Sequence, residues 1–366
     1  MSGFTANDHA HMARALELAA RGRYTAHPNP MVGCVLVRDG EVVGEGWHEK
    51  TGEPHAEINA LADAGDARGA TVYLTLEPCA HHGRTAPCAD ALVEAGVAEV
   101  VFAIADPFDQ VDGRGEQILV AAGIPVKKGL MQEQAEALNR GFLSRVRRGR
   151  PFVRLKIAAS LDGATAMASG ESQWITGPAA RADVQRLRAE AGAILTGIGT
   201  VIADDPSLTV RDPGIDTLGR QPLRAIIDST LRMPRSSIML SLEGETVVYA
   251  TDVSARGELE AQGATVVEVA GNARVDLPSV LTDLGDRDVN VLLVEAGPTL
   301  SGALLEAELV DELVIYQSPH IMGSETRRMV ATPGWLQLAD RQPLDIVDVR
   351  RVGNDMRITA RPGTRN

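Results

Sequence analysis

The chain has 366 residues, enough for two domains that each bury a core of their own. Its formal net charge of −13 gives it no bulk attraction for nucleic acid or an acidic membrane. Only three cysteines occur, with no charged-then-apolar leader and no long apolar span, which argues against a disulfide scaffold and predicts a cytoplasmic protein.

Taken in chain order, residues 8–22 read as a helix, with Met12, Ala15, Leu16 and Ala19 at amphipathic spacing. His27-Pro28-Asn29-Pro30 interrupts regular structure. The apolar runs 34–37 and 41–44 flank Arg38-Asp39-Gly40 and predict a hairpin. A helix over 55–64, strands over 72–76 and 100–104, and a helix over 89–95 follow. Helices alternating with short apolar strands predict a three-layer α/β domain. The basic run through Arg145, Arg147, Arg148 and Arg150 reads as a solvated linker, which divides the chain into 1–147 and 148–366. Beyond it, strand-like runs at 153–157, 193–196, 225–227, 246–249, 291–294 and 313–316 alternate with helix-like runs at 178–189 and 299–307. The second half is again α/β. Residues 212–221 read as a loop, and no internal repeat is evident.

The strongest chemical signal is His55-Ala56-Glu57 followed by Pro78-Cys79 and by Cys88. Zinc takes imidazole nitrogen and thiolate sulfur in a tetrahedron, and a catalytic zinc keeps one position for water. His55, Cys79 and Cys88 supply three ligands and leave that position open. Glu57, two residues after His55 at a helix start, is placed to move protons without being a ligand. The common zinc-deaminase pattern is His-x-Glu with a later Pro-Cys-x-x-Cys. Here the two cysteines are much further apart, with His81, His82 and Arg84 between them. The two histidines are alternative ligands or face the substrate, and Arg84 suits an anion. Cys34, mid-strand among Val and Leu, reads as a packed core thiol.

In the second half, the apolar run 291–294 leads through Glu295-Ala296-Gly297 into a helix. Backbone N–H groups at such a start bind phosphate, and a dinucleotide would fit. The turn is not a Gly-x-Gly-x-x-Gly fingerprint. Lys156 stands mid-strand among apolar residues, where an ammonium needs a partner. Substrate would provide one, and so would Asp162 or Glu295. Arg188 reads either as a phosphate fork or as a helix-surface partner of Glu190 or Asp183.

Three segments together resemble the bifunctional deaminase–reductases of riboflavin biosynthesis. They are His27-Pro28-Asn29-Pro30-x-Val32-Gly33, Gly52-Glu53-Pro54-His55-Ala56-Glu57, and Thr75-Leu76-Glu77-Pro78-Cys79-x-His81-His82-Gly83-Arg84-Thr85-x-Pro87-Cys88. The long insert between the cysteines is that family's form of the motif; Ala86 stands where the family commonly has a second proline. The order of Lys156 to Gly163, Ser172 to Thr176, Thr196 to Arg211 and Val294 to Gly302 matches the reductase half. The resemblance implies a cytidine-deaminase-like three-layer domain joined to a dihydrofolate-reductase-like α/β domain. It implies one zinc per chain, NADPH, a phosphoribosyl pyrimidine substrate and a homo-oligomer, dimer or tetramer. By the same resemblance Asn29, His82 and Arg84 meet the deaminase substrate. Ala158, Trp174, Thr200, Asp204, Ser229 and the turn Gly297, Pro298, Thr299, Leu300, Ser301, Gly302, Ala303 line NADPH. Lys156, Ser172, Arg188, Leu208, Arg211 and Glu295 line the reductase substrate.

Two rival readings stand beside this one. One is a deaminase of cytidine, or of adenine in tRNA, whose second half binds RNA; the net acidity and the long insert speak against it. The other is a second half that senses a pyridine nucleotide without reducing anything.

Overall fold

The computed structural model describes residues 3–80, 87–108, 113–271 and 273–364. The chain divides into two compact units, Met1–Arg148 and Gly149–Asn366.

The first unit runs α1 (Ala6–Ala19), β1 (Gly33–Arg38), β2 (Glu41–Trp47), α2 (Ala56–Ala64), β3 (Thr71–Leu74), α3 (Cys88–Glu94), β4 (Glu99–Phe102), α4 (Arg114–Ala121), β5 (Val126–Lys128), α5 (Gln132–Leu138) and α6 (Arg140–Arg148). Thr5 caps α1 in a reciprocal pairing with Asp8. Asp39 and Gly40 both take positive φ, 55° and 84°, the turn geometry that matches the twist of the β1–β2 hairpin. The sheet order is β2-β1-β3-β4-β5, antiparallel across β2-β1-β3 and parallel across β3-β4-β5.

Successive strand side chains point to opposite faces, so this sheet builds two cores. Val35, Val37, Tyr73 and Val101 pack with Met12, Leu18, Phe142 and Leu143 of α1 and α6. Cys34, Leu36, Val72, Leu74 and Phe102 pack with Ala56, Ala60, Leu92 and Leu119 of α2, α3 and α4. The result is a three-layer α/β/α unit. Gly46 lets α2 lie directly on β2, because a Cβ there would meet the Ala60 nitrogen at 2.4 Å.

The basic run is not a linker over its length: Arg145, Arg147 and Arg148 form the last turn of α6. Cations at a helix C-terminus complement the dipole, Arg148 donates to Ser144 Oγ, and Arg147 pairs with Glu136 at 3.6 Å.

The second unit runs β6 (Phe152–Ser160), β7 (Ala164–Met167), α7 (Pro178–Glu190), β8 (Ala193–Gly197), α8 (Ile198–Asp204), β9 (Leu223–Ile227), β10 (Thr246–Ala250), α9 (Arg256–Glu260), β11 (Thr265–Glu268), α10 (Leu277–Asp286), β12 (Val291–Glu295), α11 (Pro298–Glu306), β13 (Glu312–Ser318), β14 (Thr326–Arg328), β15 (Leu344–Val352) and β16 (Asp355–Pro362). Among the described residues, nine strands form one sheet in the order β11-β10-β9-β8-β12-β6-β13-β16-β15. It is parallel from β11 to β13 and antiparallel across β13-β16-β15. Leu155, Leu195, Tyr249 and Val294 face α10 and α11, while Ile194, Ile226, Leu293 and Val314 face α7, α8 and α9. Strand β12 enters between β8 and β6, late in the chain, and a parallel sheet opens its ligand crevice at the carboxyl ends beside such a reversal of order. Among the described residues, no helix is long and apolar enough to cross a membrane.

Candidate active sites

The first site forms where two helices begin. His55 is the N-cap of α2, Glu57 lies in its first turn, and Cys88 is the first residue of α3. Cys79 follows β3 by five residues, and its Sγ accepts the Cys88 backbone N–H at 3.3 Å. His55 Nδ1 stands 3.6 Å from Cys79 Sγ and 3.3 Å from Cys88 Sγ. The three ligand atoms lie within 4.8 Å of one another. With zinc bonds of about 2.0 and 2.3 Å, tetrahedral geometry sets the N···S separation at about 3.5 Å. The donor set therefore fits zinc in both chemistry and spacing.

The electrostatics agree. A hydrogen bond from Cys88, the His55 ring and the Cys88 amide all lower the Cys79 thiol, which favours the thiolate that a metal takes. Cys88, hydrogen-bonded to Cys79 and buried, is pushed upward by that neighbour in the metal-free chain. Glu57 is buried, and burial together with the Cys79 charge raises it to about 7. Such a carboxyl exchanges protons near neutrality.

Asn29 lies on the 28–32 segment, its Nδ2 donating to His48 Nε2 at 3.0 Å. His48 Nδ1 in turn donates to the Pro54 carbonyl at 3.1 Å, and its ring meets the His55 ring edge-on. Sequence reasoning missed His48, which follows the mixed polar and apolar strand β2 and carries no motif. It also missed Asn139, whose amide bonds both the N–H and the carbonyl of Met31 at 2.8 Å and so fixes the Asn29 segment. His82 and Arg84, together with His81, lie outside the described residues. Cys34 is buried at β1 and is no part of the metal cluster.

The second site collects at the carboxyl ends of β6, β8 and β12. Lys156 and Glu295 are register partners on β6 and β12, which brings Lys156 Nζ to 3.3 Å from Glu295 Oε2. Arg188 grips the same carboxylate with two nitrogens, at 2.6 and 3.1 Å, and donates a third bond to the Thr209 carbonyl at 3.1 Å. Its partner is therefore Glu295, neither Glu190 nor Asp183 as a helix-surface reading would have it. Burial raises the Glu295 carboxyl, but the charges of Arg188 and Lys156 outweigh that and hold it at about 2. Arg211 donates to Ser207 Oγ at 2.6 Å and feels both Arg188 and Glu295. Leu208, buried with a φ of 46°, connects Ser207 to the Thr209 that Arg188 holds.

Two glycine turns face each other beside this cluster. Gly197 is the N-cap of α8 and Gly297 the N-cap of α11. A Cβ on Gly297 would come 3.9 Å from Thr200 Oγ1, and one on Gly197 would come 3.6 Å from Leu300. Among the described residues, a Cβ on Gly199 would meet nothing within 4 Å, and the buried Thr196 hydroxyl at the end of β8 has no hydrogen-bond partner. Two helix N-termini, an open glycine-lined space and an orphaned hydroxyl fit a bound dinucleotide. The 297–303 turn is not uniform: Pro298 has no N–H, and Ser301 N–H already donates to the Gly297 carbonyl. Gly302 is needed for packing, since a Cβ there would run into the Ala331 carbonyl at 1.8 Å. That leaves the Thr299 and Leu300 amides for a ligand, with Ala303 a turn deeper. Asp204 ends α8, its carboxyl raised by burial and countered by Arg327 and Gln173. Ala158 pairs with Tyr316 along β6, and the Ser229 carbonyl, just past β9, accepts from Thr251 and Asp252. Ser172 and Trp174 lie on the segment between β7 and α7; Trp174 is exposed, stacked on Arg181 at 4.6 Å.

Comparison with known proteins identifies both units as domains of known families. Residues 5–104 match the model of the cytidine and deoxycytidylate deaminase zinc-binding region, and residues 151–358 match the RibD C-terminal domain. The riboflavin biosynthesis protein RibD of Escherichia coli K12 is 52% identical over 359 residues, covering 95% of this chain and 98% of its own. The chain belongs to the RibD family. The RibD of Haemophilus influenzae is 48% identical over 99% of both chains. Among solved structures, Acinetobacter baumannii RibD superposes with a TM-score of 0.91 at 45% identity, covering 98% of this chain and 99% of that one. A Thermotoga maritima diaminohydroxyphosphoribosylaminopyrimidine deaminase/5-amino-6-(5-phosphoribosylamino)uracil reductase gives 0.87 at 33% identity, with the same coverage. As a member of that family, the chain is a bifunctional enzyme of riboflavin biosynthesis, with a zinc-binding deaminase domain and a reductase domain of the NADPH-dependent kind.

Proposed function

We propose that the first unit deaminates 2,5-diamino-6-(5-phosphoribosylamino)pyrimidin-4(3H)-one, and that the second reduces the ribosyl chain of the product to give 5-amino-6-(5-phosphoribitylamino)uracil. The observation that carries the first step is a buried Glu57 beside three zinc ligands of matching spacing. His55 Nδ1, Cys79 Sγ and Cys88 Sγ would hold the metal. Bound there, zinc supplies a Lewis acid that makes water nucleophilic near neutral pH. Glu57 takes up the proton released and delivers it to the exocyclic amine, which leaves as ammonia. The Asn29 amide, oriented by His48, holds the pyrimidine edge; His82 and Arg84 hold the remainder of the substrate.

In the second unit Thr200, Asp204, Ala158, Trp174, Ser229 and the 297–303 turn receive NADPH, with the Thr299 and Leu300 amides meeting a phosphate. When bound, NADPH supplies the hydride. Ser172, Leu208, Lys156, Arg188, Arg211 and Glu295 shape the substrate side. Arg188 is committed to Glu295, so Arg211 is the better grip for the ribose phosphate.

Edge strand β15 exposes Ile346, Val347 and Val349, an apolar sheet edge that supports a homo-oligomer built on this strand. The three cysteines, all free, suit a cytoplasmic enzyme.

Turnover on the diaminopyrimidine and on its deaminated product, combined with metal analysis, tests the assignment. Glu57→Gln should keep one zinc per chain and lose roughly 10²- to 10⁴-fold in ammonia release. An equal loss of zinc would make Glu57 a ligand and end its assigned role. NADPH should be oxidised only when deaminated substrate is present; failure with every phosphoribosylaminopyrimidine would refute the reductase reading.

A further inference from the structure

Glu77, two residues before Cys79, is almost fully buried at 3% exposure, yet no step of the deamination uses it. Its carboxylate accepts three backbone N–H groups from a distant part of the chain. Oε2 takes the amides of Asp106 at 3.3 Å and Gly113 at 3.2 Å, and Oε1 takes that of Glu116 at 3.2 Å. Gly113 is the N-cap of α4 and Glu116 lies in its first turn, so a negative group here also meets the positive end of the helix.

The contact continues through the next residue. A Cβ on Gly115 would come 2.1 Å from the Pro78 carbonyl, so the first turn of α4 lies directly against Pro78. On the far side, the Cys79 carbonyl accepts from Ala89 at 3.2 Å and its Sγ accepts from Cys88 at 3.3 Å. Cys79 is thus held between the start of α4, through Glu77 and Pro78, and the start of α3.

We propose that Glu77 is a positioning residue for the deaminase, fixing the zinc ligand Cys79 by clamping its segment onto the N-terminus of α4. The Glu77 carboxylate is not among the ligand atoms of the metal cluster, which are those of His55, Cys79 and Cys88. It acts through the backbone, and an acceptor-only group with two oxygens is what three converging donors require. Glutamine keeps the size but replaces one oxygen with a donor, so at least one buried N–H loses its partner.

The test uses the full-length, zinc-loaded enzyme carrying Glu77→Gln. Zinc affinity, measured by competition with a chromophoric chelator, should weaken roughly 10- to 100-fold, the usual loss when support behind a ligand is removed. The visible bands of the cobalt-substituted variant should shift, and kcat for ammonia release should fall while KM stays close to wild type. A purely structural role would lower the melting temperature and leave the cobalt spectrum superimposable on wild type; that result overturns the proposal. Should the variant not fold, amide exchange in the wild type decides. Removing zinc should accelerate exchange at Asp106, Gly113 and Glu116, and unchanged protection there would refute the link. The inference rests on Cys79 being a ligand. If Cys79→Ser binds zinc as tightly as wild type, that assignment fails; if it loses zinc while Glu77→Gln does not, only the positioning role fails.

Discussion

Glu295 shows how a single side chain takes its meaning from others far away in sequence. Its carboxylate is buried and receives Lys156 from the neighbouring strand and Arg188 from α7. A carboxyl held at about 2 in the folded state, against an ordinary value of 4.5, stabilises the fold at any pH above the ordinary value. That contribution declines as pH falls below about 4.5 and is gone near 2; its size is on the order of 3 kcal/mol. Glu295→Gln leaves two cations buried without a counter-charge, a loss of roughly 3–5 kcal/mol. Denaturant unfolding should therefore show a stability gap between wild type and variant that is widest near neutrality and narrows from pH 4.5 downward. A gap independent of pH would mean that the carboxyl titrates alike in the folded and unfolded chain, and a gap that widened on acidification would mean that it is protonated in the fold. The zinc ligands were legible in the sequence because His-x-Glu and two prolyl-cysteines are dictated by local chemistry. The Arg188–Glu295 pair was not, because its members are 107 positions apart and only the order of β6, β8 and β12 brings them together.

At the scale of elements, the deaminase site depends on how closely α2 lies on β2. His55 and Glu57 begin that helix, and Gly46 has no side chain to hold it away. The Asn59 amide, donating to the Trp47 carbonyl at 2.8 Å, ties the two together. Gly46→Ala places a methyl against Ala56 and Ala60 backbone and should cost about 1–3 kcal/mol through overpacking. The same shift moves His55 away from the cysteines, so zinc content and ammonia release should fall together while NADPH-dependent reduction persists. Metal analysis beside both assays checks this; normal zinc content in the variant would show that α2 is free to adjust. The fold was readable wherever strands are buried: β1, β3, β4, β8, β10 and β12 are apolar runs. It was not readable where exposure removes the apolar signal. Strand β15 is exposed over nearly its whole length, β5 is three residues with two exposed lysines, and the arginines of α6 imitate a linker.

At the scale of the whole chain, each unit has its own sheet with a core on either face. Nothing in the chemistry of the Lys156–Arg188–Glu295 cluster or of the two glycine turns draws on the metal ligands, which all belong to the first unit. Cys79→Ser removes one of three ligands and should abolish zinc binding and ammonia release. Given deaminated pyrimidine directly, the same variant should oxidise NADPH at the wild-type rate. Stripping zinc from the wild type with a chelator should reproduce that pattern and, unlike the substitution, be reversed by adding metal back. Loss of both activities in a Cys79→Ser protein whose circular dichroism is unchanged would show that the zinc site stabilises the reductase site across the chain. Preserved reduction would instead mean that the two steps are joined by a shared polypeptide and not by a shared conformational equilibrium, since a coupling free energy must appear at both sites if it exists at either.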